Sequence, residues 1–369
     1  MADLKIVRHI KDGAERWNAW REKTQPAVID LQKVDLSGLK LSGANLSQAN
    51  LSKANFSRTD LGDADLSGSN LSEAAFPNAN LKGANLSRAT LYKVNFRQAN
   101  LQDLNLTGTD LRSLELKGIN LGVGNLSGVD LRGVDLSSEN FKKANLSGAN
   151  LSEANLQNTD FSGANLSNAN LSRAKLNRAK LRGALLTRAN LCGALLESAD
   201  LSMAGCLIAN FSESVLNKAI LSKANLGGAI LSGAQLVGAE IIDTFLGDAF
   251  MSMANLTKAN LSHTDLSRAC LYRAILSQST CFETKFRHAD LQEVDLSMAI
   301  LKKANFSVAQ LQNSYFGGAD LSEAILIGTN LTGANLANAN LTGAFVESTI
   351  FAGTNLQGVI GFSSKNFDA

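Results

Sequence analysis

A large apolar residue recurs at every fifth position from Leu31 to Leu356, without an insertion or a deletion. Of these 66 central positions, 51 hold Leu and 10 hold Phe. An α-helix turns by about 100° per residue, so residues five apart would be scattered around its surface rather than form a stripe. A β-strand alternates with a period of two, so the same residues would face opposite sides of a sheet. The period therefore requires a backbone that turns a corner in every repeat.

The neighbours of the central residue complete the pattern. Ala usually stands two places before it (the alanine position), Asn or Asp one place before it (the preceding position), and Ser one place after it. A chain that points the large and the small apolar residue inward forms a coil of short strands, and each coil stacks on the next at about 4.8 Å. Phe residues recur twenty apart, as in Phe56 and Phe76, which predicts four repeats per coil and therefore about 16 coils.

The repeat A(D/N)LSx from residue 31 to residue 356 resembles the pentapeptide repeat family. The resemblance implies an all-β fold, a right-handed quadrilateral parallel β-helix with Leu or Phe and Ala inside. The segment WNAWR, residues 17–21, is similar to the N-terminal caps of many cyanobacterial members. Such members include regulators that act by protein contact. The best-known relatives mimic duplex DNA in size and negative charge and bind DNA gyrase.

Composition restricts the class of protein. Lys and Arg (35) nearly balance Asp and Glu (33), so no overall field recruits nucleic acid or an anionic membrane. The chain shows no signal peptide and no long apolar run, and its four Cys residues have no metal-ligand spacing, which predicts a cytoplasmic protein with free thiols. With only 2 Pro residues and no linker, we expect one long domain: a helical cap at 1–30, the β-helix at 31–360, and a tail or cap at 361–369.

Both ends of a solenoid need covering. We expect residues 4–23 to form one or two helices, with Asp3 as the N-cap and a break at Gly13. The apolar residues of this cap fall at near-helical spacing: Ile6, Ile10, Trp17 and Trp20. The two Trp residues are alternatively an aromatic pair that binds a partner. At the other end, Phe362 and Phe367 either fold back as a cap or meet a second copy, which predicts a homodimer through the C-terminal end.

Function must use outward side chains, because the inward positions are occupied by packing. No large apolar residue occupies the preceding position between residues 35 and 180, whereas fourteen do between Leu185 and Ile360. Exposed apolar patches often mark an interface, and drift of the repeat is the alternative. The candidate partner-binding residues are Ile230, Phe245, Phe250, Ile325, Phe345 and Ile350.

A second candidate is a basic belt in a stretch, 161–196, that contains no acidic residue. It consists of Arg173, Lys175, Arg178, Lys180, Arg182 and Arg188. Such a belt could bind phosphate or an acidic partner, or it could be ordinary solvated charge. It lacks the aromatic residues on which bases stack, so nucleic acid is not the expected ligand.

From residue 94 to residue 139 the alanine position is irregular. Val94, Leu114 and Val134 lie twenty apart, so one side of the coil should pack larger residues as a column. Glu139 is an anomalous inward residue, since a buried unpaired carboxylate costs several kcal/mol. We expect a local bulge that turns it outward, with a buried functional carboxylate as the alternative.

Catalysis is not expected. The three His residues are far apart in sequence, no triad or metal motif occurs, and the Ser that follows each Leu is a repeated turn residue. We therefore predict no cofactor and a non-catalytic scaffold or protein-interaction module, with regulation as one use. The alternative is a gyrase-binding or other nucleic-acid-related protein, which the net charge of +2 disfavours.

Overall fold

The computed structural model describes residues 4–116, 118–119, 121 and 124–361. It contains two compact units, Met1–Asn170 and Leu171–Ala369. The first unit begins with helix α1 (Leu4–Lys11) and helix α2 (Ala14–Thr24), and the five-residue repeat follows. The predicted N-terminal helices are confirmed, and they are separated at Gly13, whose φ of 100° suits glycine.

Parallel bridges join residues twenty apart in both units, for example Asn45 with Asp65 and Ile230 with Phe250. A register of twenty over a repeat of five gives four faces per coil, as the Phe spacing predicts. Each face contributes a single bridged residue between two turns, so the described chain holds isolated bridges rather than the short strands that we expected. The handedness and the number of coils stay predictions.

A tight turn separates successive faces. The amide of Val34 donates to the carbonyl oxygen of Leu31 at 3.2 Å, and the same bond recurs along the chain. Only the second of the two turn residues has a positive φ, 60° at Lys33 and 69° at Gly38, which is the signature of a type II turn. A left-handed conformation costs a non-glycine residue about 1 kcal/mol or more. The amide of Lys33 offsets part of this cost because it donates to Ser52 O in the next coil at 2.9 Å.

The core lies inside the coils. Central and alanine positions are buried almost without exception, as at Leu46, Ala49 and Leu51. The predicted aromatic stacking is confirmed: the ring centroids of Phe56 and Phe76 are 4.7 Å apart, and those of Phe286 and Phe306 are 4.8 Å apart. Each stacked pair contributes roughly 0.5–1.5 kcal/mol beyond its burial.

Asn and Asp at the preceding position form side-chain hydrogen bonds between neighbouring coils on the outer surface. Asn80 Nδ2 donates to Asp60 Oδ1 at 2.8 Å, and Asn80 Oδ1 accepts from Asn100 Nδ2 at 3.0 Å. The same Oδ1 also accepts the amide of Lys82 at 3.2 Å, which fixes the following turn. The repeat therefore favours Asn because its amide both donates and accepts along the ladder.

The C-terminal end is less completely buried. Leu341 is the last fully buried central residue, and Val346 and Leu356 are half-buried. Residues 362–369, which contain most of the predicted tail, lie outside the described residues, as does Asp3 at the other end. Within the described ranges no helix has the length and apolar character needed to cross a membrane.

Candidate interaction surfaces

In the second unit, apolar residues replace Asn or Asp at many preceding positions. These side chains point outward: Phe250 is 55% exposed, Phe345 is 59% exposed, and Phe245, Ile350 and Ile230 are exposed to lesser extents. Ile325 is only half-buried. An apolar residue at this position cannot form the side-chain ladder of Asn80, so its presence there adds nothing to the connection between coils.

The bridge register sorts the candidate residues onto two faces. Face A is the bridged column that contains Ile230, Phe250 and Cys270, and Ile350 falls in the same register. Face B is the bridged column from Leu185 to Phe345, and it contains Phe245, Ile325 and Phe345. Ile230 is bridged to Phe250 and Ile325 is bridged to Phe345. The structure therefore brings four of the candidate residues together as two pairs and leaves Phe245 away from both.

Phe245 lies flat on the surface rather than projecting from it. A Cβ atom added to Gly227 would lie 2.7 Å from Phe245 Cε1, and one added to Gly247 would lie 2.6 Å from its Cζ. The ring therefore covers two glycines in the turns beside face B. This packing accounts for both glycines, because any larger residue would displace the ring.

Sequence reasoning missed the apolar residues at the two turn positions after each central residue. Exposed examples in the second unit include Met203, Leu207, Ile208, Met253, Met298, Val308 and Ile327. The signal in the sequence is an apolar residue at either turn position, where the repeat usually places a polar residue or Gly. Leu207 and Ile208 form one such pair, in the turn that follows Cys206.

All six residues of the basic belt are exposed. Elsewhere in the second unit, some cations pair with an acid one coil away, such as Arg268 with Asp248 at 2.7 Å and Arg273 with Glu293 at 2.6 Å. In the belt, Lys175, Arg178, Lys180, Arg182 and Arg188 form no ion pair with any carboxylate that the structure describes. These five residues therefore form a run of exposed positive charge.

The first unit contains one opened coil. No bridge joins Asn95 to Glu115, and the amide of Phe96 lacks the bond to the next coil that Phe76 makes at 2.8 Å, within the residues described. Val94 and Leu114 occupy alanine positions in these two coils, and both are buried. A cleft of about 870 Å³ lies between the two coils, and both side chains line it.

Glu139 turns toward this opened coil. Its carboxylate Oε1 accepts the amide of Gly118 at 2.8 Å, and its side chain is half-buried. The backbone at Glu139 keeps its regular bonds, to Leu136 O at 3.2 Å and from Asp160 N at 3.0 Å. The irregular backbone that we expected at Glu139 therefore lies one coil earlier, where the bridge between Asn95 and Glu115 is missing. Val134, the third member of the expected column, is half-buried.

Reactive groups are few. Burial raises the pKa of the Cys206 and Cys281 thiols to about 12, which leaves them protonated and inert. Cys192 and Cys270 are half-buried and free. In the part of the chain that the structure describes, no three His, Cys, Asp or Glu residues are grouped so as to hold a metal ion.

A four-sided coil with Leu, Phe and Ala inside and variable residues outside defines a solenoid repeat protein of the β-helix class. The family model for pentapeptide repeats (8 copies) matches overlapping segments across residues 29–122, 125–204, 209–278 and 281–360. The chain therefore belongs to the pentapeptide repeat family.

Several solved structures are similar to this chain. HetL, a pentapeptide repeat protein involved in heterocyst differentiation regulation in the cyanobacterium Nostoc, is 30% identical, over 65% of this chain and 93% of HetL, with a TM-score of 0.34. A pentapeptide repeat protein of the Arabidopsis thaliana thylakoid lumen is 31% identical, over 31% of this chain and 69% of that one, with a TM-score of 0.23.

QnrB1, a plasmid-mediated fluoroquinolone resistance protein, is 20% identical, over 63% of this chain and 88% of QnrB1, with a TM-score of 0.22. No curated protein matches the chain significantly. The family assignment rests on the match along the sequence.

Proposed function

We propose that this chain is a non-catalytic, cytoplasmic scaffold or regulatory module that docks a protein partner through outward apolar residues of its second unit. The observation that carries the proposal is the exposure of Phe250 and Phe345, 55% and 59%, at positions where the repeat otherwise places Asn or Asp. Side chains of this size contribute most to binding when a partner covers them. The inward positions are occupied by packing, so they leave no room for a ligand.

The family supports a contact function without naming a partner. HetL is described as involved in regulation of differentiation, which agrees with a module that acts by contact. A second copy of the chain is also a candidate partner, since Ile360 is 60% exposed near the C-terminal end and a dimer through that end was predicted. A native mass measurement distinguishes a dimer from a monomer.

The proposal is tested by measuring how much partner protein the full chain recovers from a cell extract. Phe250→Ser and Phe345→Ser should each reduce the amount of a specific partner recovered from an extract of the native cell, or should reduce the dimer fraction. Tyr92→Ser is the matched control, because Tyr92 is an aromatic residue of similar exposure, 51%, in the first unit. Equal recovery and equal dimer content in all three variants would refute the proposal.

A duplex-mimicking role is the rival. Mimicry of DNA needs a strongly acidic surface, and this chain has a net charge of +2 and an exposed basic belt. A DNA gyrase supercoiling assay checks the rival, and we expect no effect of the protein at micromolar concentration. Inhibition or protection of gyrase would favour the rival over the docking role.

A further inference from the structure

Four exposed apolar residues lie together on and beside face B, at the start of the second unit. They are Leu185 (50% exposed), Met203 (55%), Leu207 (41%) and Ile208 (53%). Leu185 is bridged to Gly205 in the next coil, and the two turn residues that follow Cys206 are Leu207 and Ile208. The four residues therefore come from two neighbouring coils, and their clustering depends on the twenty-residue register.

Glycines form the floor of this patch. A Cβ atom on Gly205 would lie 3.5 Å from Leu185 Cδ2, and one on Gly228 would lie 3.7 Å from Ile208 Cγ1. The apolar side chains thus extend across backbone that carries no side chain of its own. The result is a flat apolar surface, which suits contact with another flat element rather than capture of a small molecule.

Arginines stand beside these apolar residues. Arg182 Nη2 lies 3.6 Å from Met203 Sδ, and the amide of Arg188 donates to Leu207 O at 2.9 Å. We call these six residues the arginine-flanked patch: Arg182, Leu185, Arg188, Met203, Leu207 and Ile208. Neither guanidinium has an ion pair among the residues described, and both are exposed. Their neighbours Lys175, Arg178 and Lys180 add to the positive charge.

We propose that the arginine-flanked patch binds an acidic amphipathic segment of a partner protein. Carboxylates of the segment pair with Arg182 and Arg188, and its apolar side chains cover Leu185, Leu207 and Ile208. Guanidinium and carboxylate form strong charge-assisted hydrogen bonds, and a guanidinium beside an apolar surface becomes costly to desolvate unless such a partner arrives. This inference rests on the proposed docking function and adds to it the chemistry of the partner.

Charge argues against a second copy of the chain as the occupant. A two-fold contact places the same patch on both sides, so the unpaired cations of one copy would meet those of the other. Only two acidic residues, Glu197 and Asp200, are near the patch in sequence, whereas five cations there have no ion pair among the residues described. One of the two acids is also already engaged, because Asp200 Oδ1 accepts the amide of Ser202 at 2.9 Å. Nucleic acid is a poorer fit, because the patch has no aromatic side chain on which bases could stack.

A selection of random displayed peptides on the full chain identifies what the patch prefers. We expect the enriched peptides to combine Asp or Glu with large apolar residues. Their affinity, measured by fluorescence anisotropy, should fall by about tenfold or more for Arg182→Glu/Arg188→Glu and for Leu207→Ser/Ile208→Ser. The affinity should also fall as the salt concentration rises, because exposed charge pairs are screened.

Matched controls exist in the same unit. Lys218→Glu/Lys258→Glu makes the same change in net charge at exposed turn lysines that have no ion pair among the described residues. Ile300→Ser removes an apolar side chain that is 48% exposed and lies in another bridged column. Both controls should leave peptide affinity unchanged. Circular dichroism confirms that every variant keeps its fold.

Several results of the peptide experiments would overturn the inference. These are the absence of enriched peptides, enrichment of neutral or basic peptides, and affinity that is insensitive to both patch variants. Phosphatidylserine vesicles and duplex DNA are tested as further probes, and Arg182-dependent binding of either without peptide binding would also overturn it. Partner recovery that depends on Phe250 and Phe345 would still support the docking function if this inference failed, so the two failures are distinguishable.

Discussion

Trp17 donates its indole N–H to the carbonyl oxygen of Asn45 at 2.6 Å, and this bond joins helix α2 to the first coil. Asn18 Oδ1 accepts the amide of Asn45 at 2.8 Å, and Arg21 donates to the carbonyl oxygens of Asn45 and Ser47. These are backbone groups that a preceding coil would otherwise pair. The helix therefore satisfies the open edge of the ladder with side chains, which prevents another chain from adding there.

Trp17→Phe should destabilise the N-terminal end by roughly 1 kcal/mol, because the ring stays buried while one donor to Asn45 O is lost. Urea unfolding followed by circular dichroism measures the loss, and hydrogen exchange at the Asn45 amide locates it. Trp20→Phe is the control, since Trp20 is half-buried and stacks on His9 with centroids 5.1 Å apart. An equal effect of both substitutions would show that ring packing rather than the indole bond stabilises the cap.

Asn80→Asp should destabilise the first unit by roughly 1 kcal/mol at neutral pH, because it removes the donor to Asp60 and places two carboxylates opposite each other. Thermal unfolding at neutral pH measures the loss. Asn225→Asp is the control, since Asn225 is bridged to Gly205 and Phe245 and therefore has no carboxylate neighbour in its ladder. Loss of stability in the control alone would contradict the ladder explanation.

Val94→Ala/Leu114→Ala should allow the opened coil to close, since Ala at these positions lets neighbouring coils approach as they do elsewhere. The amides of Phe96 and Glu115 should then become protected from hydrogen exchange, although the loss of buried surface costs about 2–5 kcal/mol. Unchanged exchange at Phe96 would show that the bulky residues are not the cause of the opening.

Acid should destabilise the protein through its paired carboxyls. The hydrogen bond from Arg132 holds the pKa of Asp130 below its ordinary value of 3.8, and the Arg112 bond does the same for Asp110. A carboxyl with a lowered folded-state pKa contributes stability above pH 3.8, and this contribution is lost as the pH falls toward the folded value. Urea unfolding at decreasing pH should show the loss, and Asp130→Asn should make the decline shallower. An unchanged slope in that variant would contradict the assignment.

The sequence by itself determined the solenoid, the buried residues and the four-repeat coil. Every repeat has the same order of inward and outward residues. The spacing of Phe56 and Phe76 indicates the twenty-residue register from the sequence alone. The helices around Gly13 were also predictable, because capping signals and apolar spacing are local.

Only the tertiary structure decided which outward residues meet. Leu185 occupies the preceding position, whereas Met203 and Ile208 occupy the second turn position of a neighbouring coil. Stacking of the two coils places the three side chains on one surface. The packing of Phe245 over Gly227 and Gly247 likewise depends on the shapes of side chains in neighbouring turns. A five-residue pattern specifies whether each side chain points inward or outward. Contacts between the side chains of stacked coils depend instead on the shapes of residues about twenty positions apart.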